Sequence, residues 1–278
     1  MSISDKLTAV AENIPAVYAA GAAAGRTAAE ADADAQIAAL LIEAHGAREA
    51  FKKFAEIYAG GGSLTEISNR FFTAAAKSAD DTYASEFYRY SVNPTPAGTK
   101  LDGNAGLVCV PSTNILAARD DYADLPLFAC FDCNYTIDAD TLEPVIHAVK
   151  DIAGDFTGAP ADSMVGVMQM TGWVRRTATD TTKKVEYRAK PSEGFKPLPE
   201  AVRACDNGVR PFVIHAKYAA GFNAAGRLSS VSGVQPATRR PGPEGTTSIS
   251  HDGQIALWRE WGGHYCGPSL CDVAFLQT

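Results

Sequence analysis

Apolar positions change their period once along the chain, and the change divides it into two kinds of element. Up to about residue 92 the spacing is helical. Ser4 is placed to cap a first helix carrying Leu7, Val10 and Ile14, and Pro15 ends or kinks it, because the residue before proline avoids the α region. A stronger signal follows. Ile37, Leu40, Ala44, Ala47, Phe51, Phe54 and Tyr58 recur at intervals of 3, 4, 3, 4, 3 and 4, with Glu43, Glu49, Lys52, Lys53 and Glu56 off the stripe. This seam has two readings. It is the contact of a helical homo-oligomer, or it packs inside the chain against neighbouring helices. The second is preferred, because three heptads is the minimum for a coiled coil. Gly46 inside the seam weakens the helix by about 1 kcal/mol relative to alanine.

Ala59-Gly60-Gly61-Gly62 stops that helix, and Ser63 with Glu66 forms an S-x-x-E capping box for the next, whose apolar stripe is Leu64, Ile67, Phe71 and Ala75. A glycine-rich loop before a helix suits phosphate. This one follows a helix and lacks a Lys-Ser/Thr pair, so a turn is expected. A last helix from about Asp81 is expected to carry Tyr83, Phe87 and Tyr90.

Residues 93–98, Asn-Pro-Thr-Pro-Ala-Gly, read as an extended linker. Beyond it the signals are those of strands: Leu107 to Val110, Leu127 to Ile137, Pro144 to Val149, Met164 to Val174, Lys184 to Arg188 and Pro211 to Tyr218. Asp138-Ala139-Asp140 joins the second to the third, and Leu198 to Ala204 reads as a short helix. With no repeated βαβ pattern, the expected class is α+β. A helical region (1–92) and a Pro-rich linker (93–98) precede a β-rich domain (99–278) with a mixed or antiparallel sheet.

Composition narrows the partners. The chain has 278 residues, 46% of them hydrophobic, and a net charge of −7. That balance argues against nucleic acid, which needs clustered Lys and Arg; Arg175-Arg176 and Arg239-Arg240 are too small to reverse it. No apolar run reaches the roughly 20 residues that span a bilayer. Asp5, Lys6 and Glu12 interrupt what would be the core of a secretory signal, so none is read. Six cysteines are too few for a disulfide framework in a chain this long, and thiols are expected.

Catalytic signatures are missing from the sequence: no G-x-S-x-G, H-E-x-x-H, Walker loop or dinucleotide fingerprint occurs. Neither an enzymatic activity nor a cofactor is expected. Cys130-Phe131-Asp132-Cys133 is a C-x-x-C that would bind zinc only with a second pair drawn from His264, Cys266 or Cys271. Strand periodicity puts Cys130 and Cys133 on opposite faces, so no metal site is expected. Asp138, Asp140 and Glu143 suit a hairpin turn better than calcium, which wants more oxygens and a glycine. His147 and His215 lie in strand-like runs and are expected to be packed.

Residues 248–278 concentrate the remaining chemistry, with two of the three tryptophans and two of the five histidines. Trp258 and Trp261 share a face if the segment is helical. They would then form an aromatic platform for a host-surface glycan, with Arg259, His264 and Tyr265 beside them and Glu260 as a further hydrogen-bonding group. Core packing is the competing, preferred reading. The run from Cys271 to Thr278 is apolar and element-like.

The opening MSISDKLTAVAENIPAVYAAG resembles that of structural proteins of tailed phages and prophages of Gram-positive gut bacteria. TKLDGNAGLVCVPSTN, CNYTIDADTLEPVIHAV and MVGVMQMTGWV resemble a domain of the same virion proteins, in the same order. The resemblance implies a virion component, of tail-fibre, baseplate or head-fibre type. It would be made in the host cytoplasm and assembled with other virion proteins and with itself, a trimer being the first expectation. The alternative is a glycan-binding or cell-wall-degrading enzyme of the particle.

Overall fold

The computed structural model describes residues 28–93, 98–110, 119–203, 206–237, 239–242, 245–248 and 250–261. The helix expected around Leu7 to Ile14, His264, Tyr265, Cys266 and the run from Cys271 lie outside them. A helical N-terminal region is followed by antiparallel sheets, so the class is α+β.

Two helices open the described chain: α1 (Ala28–Tyr58) and α2 (Leu64–Ser78). The capping box forms as read. Ser63 Oγ accepts from the Glu66 amide at 3.3 Å, and Glu66 Oε2 accepts from the Ser63 amide at 2.7 Å. The seam is spent inside the chain. Ile37, Ala47, Phe51, Phe54 and Tyr58 are buried, and Leu40 and Ala44 half-buried. Phe51 stacks on Phe71 at 4.6 Å between centroids, and Phe54 meets the same ring edge-on at 5.5 Å. These side chains pack within the chain, against α2.

Gly46 does more than weaken α1. Its φ of 77° and ψ of 168° break the helix, in a region essentially closed to other residues. The Ala47 amide thereby turns to the Asp124 carbonyl at 2.9 Å, and a Cβ on Gly46 would meet Asp124 Cβ at 3.0 Å.

The helical region ends at Ser78 rather than near residue 92. The expected last helix is a strand, β1 (Thr82–Tyr88), paired antiparallel with β2 (Gly98–Asp102) on one side. Of the proposed linker, residues 94–97 lie outside the described residues; Gly98 opens β2, and Phe87 faces it. The 4-and-3 spacing of Tyr83, Phe87 and Tyr90 suited a helix. Strand pairing on both edges overrode it in a segment of aromatic and β-branched residues.

Short strands β3 (Cys109–Val110) and β4 (Arg119–Asp120) pair with each other, and β5 (Cys130–Ile137) forms a hairpin with β6 (Pro144–Val149). The expected run from Met164 to Val174 is two strands, β7 (Met164–Met170) and β8 (Trp173–Ala178). Then come β9 (Thr182–Arg188), β10 (Lys196–Pro197), a 3₁₀ turn at Pro199–Ala201 where the short helix was read, and β11 (Phe212–Ala216). Two further hairpins, β12 (Gly221–Phe222) with β13 (Leu228–Ser229) and β14 (Arg239–Gly242) with β15 (Gly245–Ser248), precede α3 (His251–Trp258).

Two compact units result, and their boundaries do not follow the 92/99 division. The first contains residues 1–130 and 169–213, the second residues 131–168 and 214–278. In the first unit a five-stranded sheet runs β10-β8-β9-β1-β2. The four-stranded order is β11-β7-β5-β6. In the second unit Phe131, Cys133, Ile146, Val149 and Met168 form the core. Burial along β7 alternates strictly, as expected of a strand with one packed face.

Candidate functional site

One end of the five-stranded sheet carries the run of neighbouring exposed large apolar side chains among the described residues. Phe87, Tyr88, Tyr90 and Val92 are 38%, 55%, 82% and 48% exposed. Each is placed by a local cause. Phe87 rests on Gly98, whose missing side chain leaves room for the ring; a Cβ there would overlap it. That cross-strand pair pins the register of the hairpin. Tyr88 lies opposite Thr182 on β9. The chain then turns: the Arg89 amide donates to Thr181 O at 2.8 Å, and the Val92 and Asn93 amides donate to Arg89 O at 2.8 and 2.9 Å. Beside it the β8–β9 turn holds itself with Thr179 Oγ1, which accepts from the Thr182 amide at 2.9 Å.

The result is a rigid turn with two phenol rings and an isopropyl group in water. Tyrosine offers apolar area and a hydrogen-bonding tip at low entropic cost, which suits protein contacts. β2 flanks this end as the last strand of its sheet, exposed along most of its length. Lys100 and Asp102 lie on it, charges of the kind that discourage open-ended strand pairing.

The sequence-selected glycan platform is differently built. α3 is helical, capped by Ser250 Oγ on the Gly253 amide at 3.1 Å, and runs into a 3₁₀ turn at Arg259–Trp261. Trp258 and Trp261 are both half-buried, and Arg259 is exposed. Trp261 Nε1 donates to the Leu228 carbonyl at 2.6 Å, and the Arg227 guanidinium lies 5.3 Å from its ring centre. Trp261 is anchored to β13 rather than presented as an open platform. His264 and Tyr265 lie outside the described residues.

Cys130 is exposed and Cys133 buried, so the strand separates the two thiols as their spacing implies. Burial pushes the Cys133 thiol up to about 12. Among the described residues no group of three or more His, Cys, Asp or Glu is arranged to hold a metal ion. Asp138 makes the hairpin turn: its Oδ1 accepts from the Asp140 and Thr141 amides at 3.1 and 2.8 Å, and these bonds hold its carboxyl below the usual range. His147 Nε2 meets Thr136 Oγ1 at 2.9 Å, and burial lowers the pKa of His215.

Two ionic clusters escaped the sequence reading. Asp34, nearly buried on α1, accepts from Arg70 Nε and Nη2 at 3.0 and 2.8 Å and from Tyr58 Oη at 2.7 Å, while the Arg70 guanidinium covers the Tyr58 ring at 4.0 Å. Glu186 on β9 lies opposite Arg175 on β8 and accepts from its Nε and Nη2 at 2.7 and 2.8 Å; Lys184 Nζ is 3.1 Å away. Arg175 above all, then Lys184, holds the Glu186 carboxyl down at about 2. Both clusters are charge-satisfied clamps, and neither presents an open carboxylate to a substrate. A sequence signal existed for the second, an Arg and a Glu in register across a short hairpin.

No helix among the described residues is long and apolar enough to cross a membrane. The chain matches no family model, no curated protein and no solved structure.

Proposed function

We propose that this protein is a non-enzymatic structural component of a tailed-phage particle, of tail-fibre, baseplate or head-fibre type. It joins another copy of itself or a neighbouring virion protein through the aromatic end of the five-stranded sheet. The observation that carries the proposal is the exposure of Phe87, Tyr88, Tyr90 and Val92 on a turn fixed by its own backbone bonds. Exposed aromatics on a rigid support lose little entropy when covered, and such residues dominate binding energy at protein contacts. The sequence resemblance to virion proteins supports the same reading. With the 37–58 seam buried in the chain's own helical pair, the aromatic end takes over as the contact in the homo-oligomer, for which a trimer remains the first expectation.

The test is location and attachment. Mass spectrometry and gold labelling of purified particles should find the protein in the virion. Tyr88→Ser with Tyr90→Ser should leave it folded but lower its incorporation by at least about tenfold, the loss of roughly 1.4 kcal/mol of contact energy. Absence from particles, or normal incorporation of the double variant, would overturn the proposal.

A further inference from the structure

The first unit contains a cavity of about 280 Å³, lined from four separate segments. Thr73, Ala76 and Lys77 come from one face of α2, and Thr171 and Trp173 from the break between β7 and β8. Lys190 and Pro191 follow β9, and Arg210 and Pro211 precede β11. The volume lies just below the roughly 300–1,000 Å³ of sites for drug-sized ligands, which leaves room for one ring-sized group.

The break that supplies Thr171 and Trp173 is built by Gly172. Tyr187 lies so close to it that a Cβ would overlap the ring, and the Thr171 amide donates to Pro211 O at 2.9 Å. Thr171 is 3% exposed, and its hydroxyl has no hydrogen-bond partner. A buried hydroxyl in that state costs about 1–3 kcal/mol, and Ser229 Oγ is buried in the same way.

Charge is the second observation. In a chain of net charge −7, this wall contributes Lys77, Lys190 and Arg210 and no carboxylate. Lys77 pairs with Asp32 at 3.3 Å and Lys190 with Asp80, but those carboxylates are 71% and 78% exposed. Exposed pairs of this kind are worth little and exchange easily for a better-placed anion. Besides Thr73 and Thr171, the remaining lining is alanine, proline and valine, with the half-buried Trp173 indole. Such a wall favours an apolar ring face over a bare, strongly hydrated ion.

We propose that this cavity binds a single acidic sugar ring, its carboxylate held by Lys77, Lys190 and Arg210 and its face against Trp173. The inference goes beyond the function proposed above, adding a ligand site to a particle component. It is tested on the isolated full chain, so its failure leaves the particle assignment standing.

The experiment is a titration followed by calorimetry and tryptophan fluorescence, with glucuronic acid, N-acetylmuramic acid, glucose and inorganic phosphate as probes. At least one of the two acidic sugars should bind saturably, and glucose and phosphate at least about tenfold more weakly. Lys77→Gln with Lys190→Gln should weaken acidic-sugar binding by about tenfold or more at an unchanged melting temperature. Arg210→Gln should do the same and serves if the double variant is unstable. Trp173→Phe should remove the fluorescence response. Equal affinity for glucose, equal affinity for phosphate, indifference to the cation substitutions, or no saturable binding below about 20 mM would each overturn the proposal.

Discussion

Phe51, Phe54 and Tyr58 on α1, and Tyr83, Phe87 and Tyr90 in and after β1, recur at the same alternation of three and four residues. Their fates diverge. Phe51, Phe54 and Tyr58 are all buried, whereas of the second set only Tyr83 is buried, with Phe87 38% and Tyr90 82% exposed. What separates them is the partner. A capping box starts α2 directly after the glycine turn, so an apolar helix face is returned to the seam at once. β1 is instead drawn into a sheet by β2 and β9, and a strand cannot turn both of its faces to one core. Equal spacing therefore ends as core in one region and as surface in the other.

Four experiments break or sharpen that contrast, in descending order of effect. Phe71→Ala removes the ring shared by Phe51 and Phe54 and should cost about 3–5 kcal/mol, seen as a large fall in the denaturant midpoint. Asp34→Ala leaves the largely covered Arg70 without its carboxylate in the same helical pair. A loss of about 3 kcal/mol is expected by urea unfolding, while Arg70→Met with Asp34→Leu should recover much of it.

Glu186 is the sheet's counterpart. Its folded pKa of about 2 lies below the ordinary 4.5, so the charged form is favoured by folding. The stabilisation is complete above about pH 4.5 and is lost as the pH falls toward 2. Because Arg175 is 39% exposed, water screens the pair, and the effect is held to about 2 kcal/mol. Melting temperature measured from neutral pH downward should fall more steeply for the parent chain than for Glu186→Gln; parallel curves would refute the clamp. The smallest effect belongs to the aromatic end. Tyr88→Ser with Tyr90→Ser should change stability by no more than about 0.5 kcal/mol. A larger loss would mean that these rings are core after all.

Much of this architecture is written in local signals. The capping box, the Asp138 turn, the return strand from Pro144 and the α+β order all rest on contacts between residues close in the chain, where spacing and turn chemistry decide the outcome. The separation of the two C-x-x-C thiols was legible for the same reason, since a strand's period of two puts them on opposite faces. The candidate contact surface was less legible. The prolines after Asn93 suggested a linker, and the run that pairs as β1 carries its aromatics at a helical spacing.

The sequence by itself determined where α1 gives way to α2, where the β5–β6 hairpin turns and which helix face is apolar, because those choices are settled within a few residues. Only the tertiary structure decided that Asp34 would be buried under Arg70, that Gly46 would break its helix to admit Asp124, and that Thr171, Trp173, Lys190 and Arg210 would line one cavity with α2. Each of these joins residues far apart in the chain. Their meeting depends on which strands pair, and no local period carries that information.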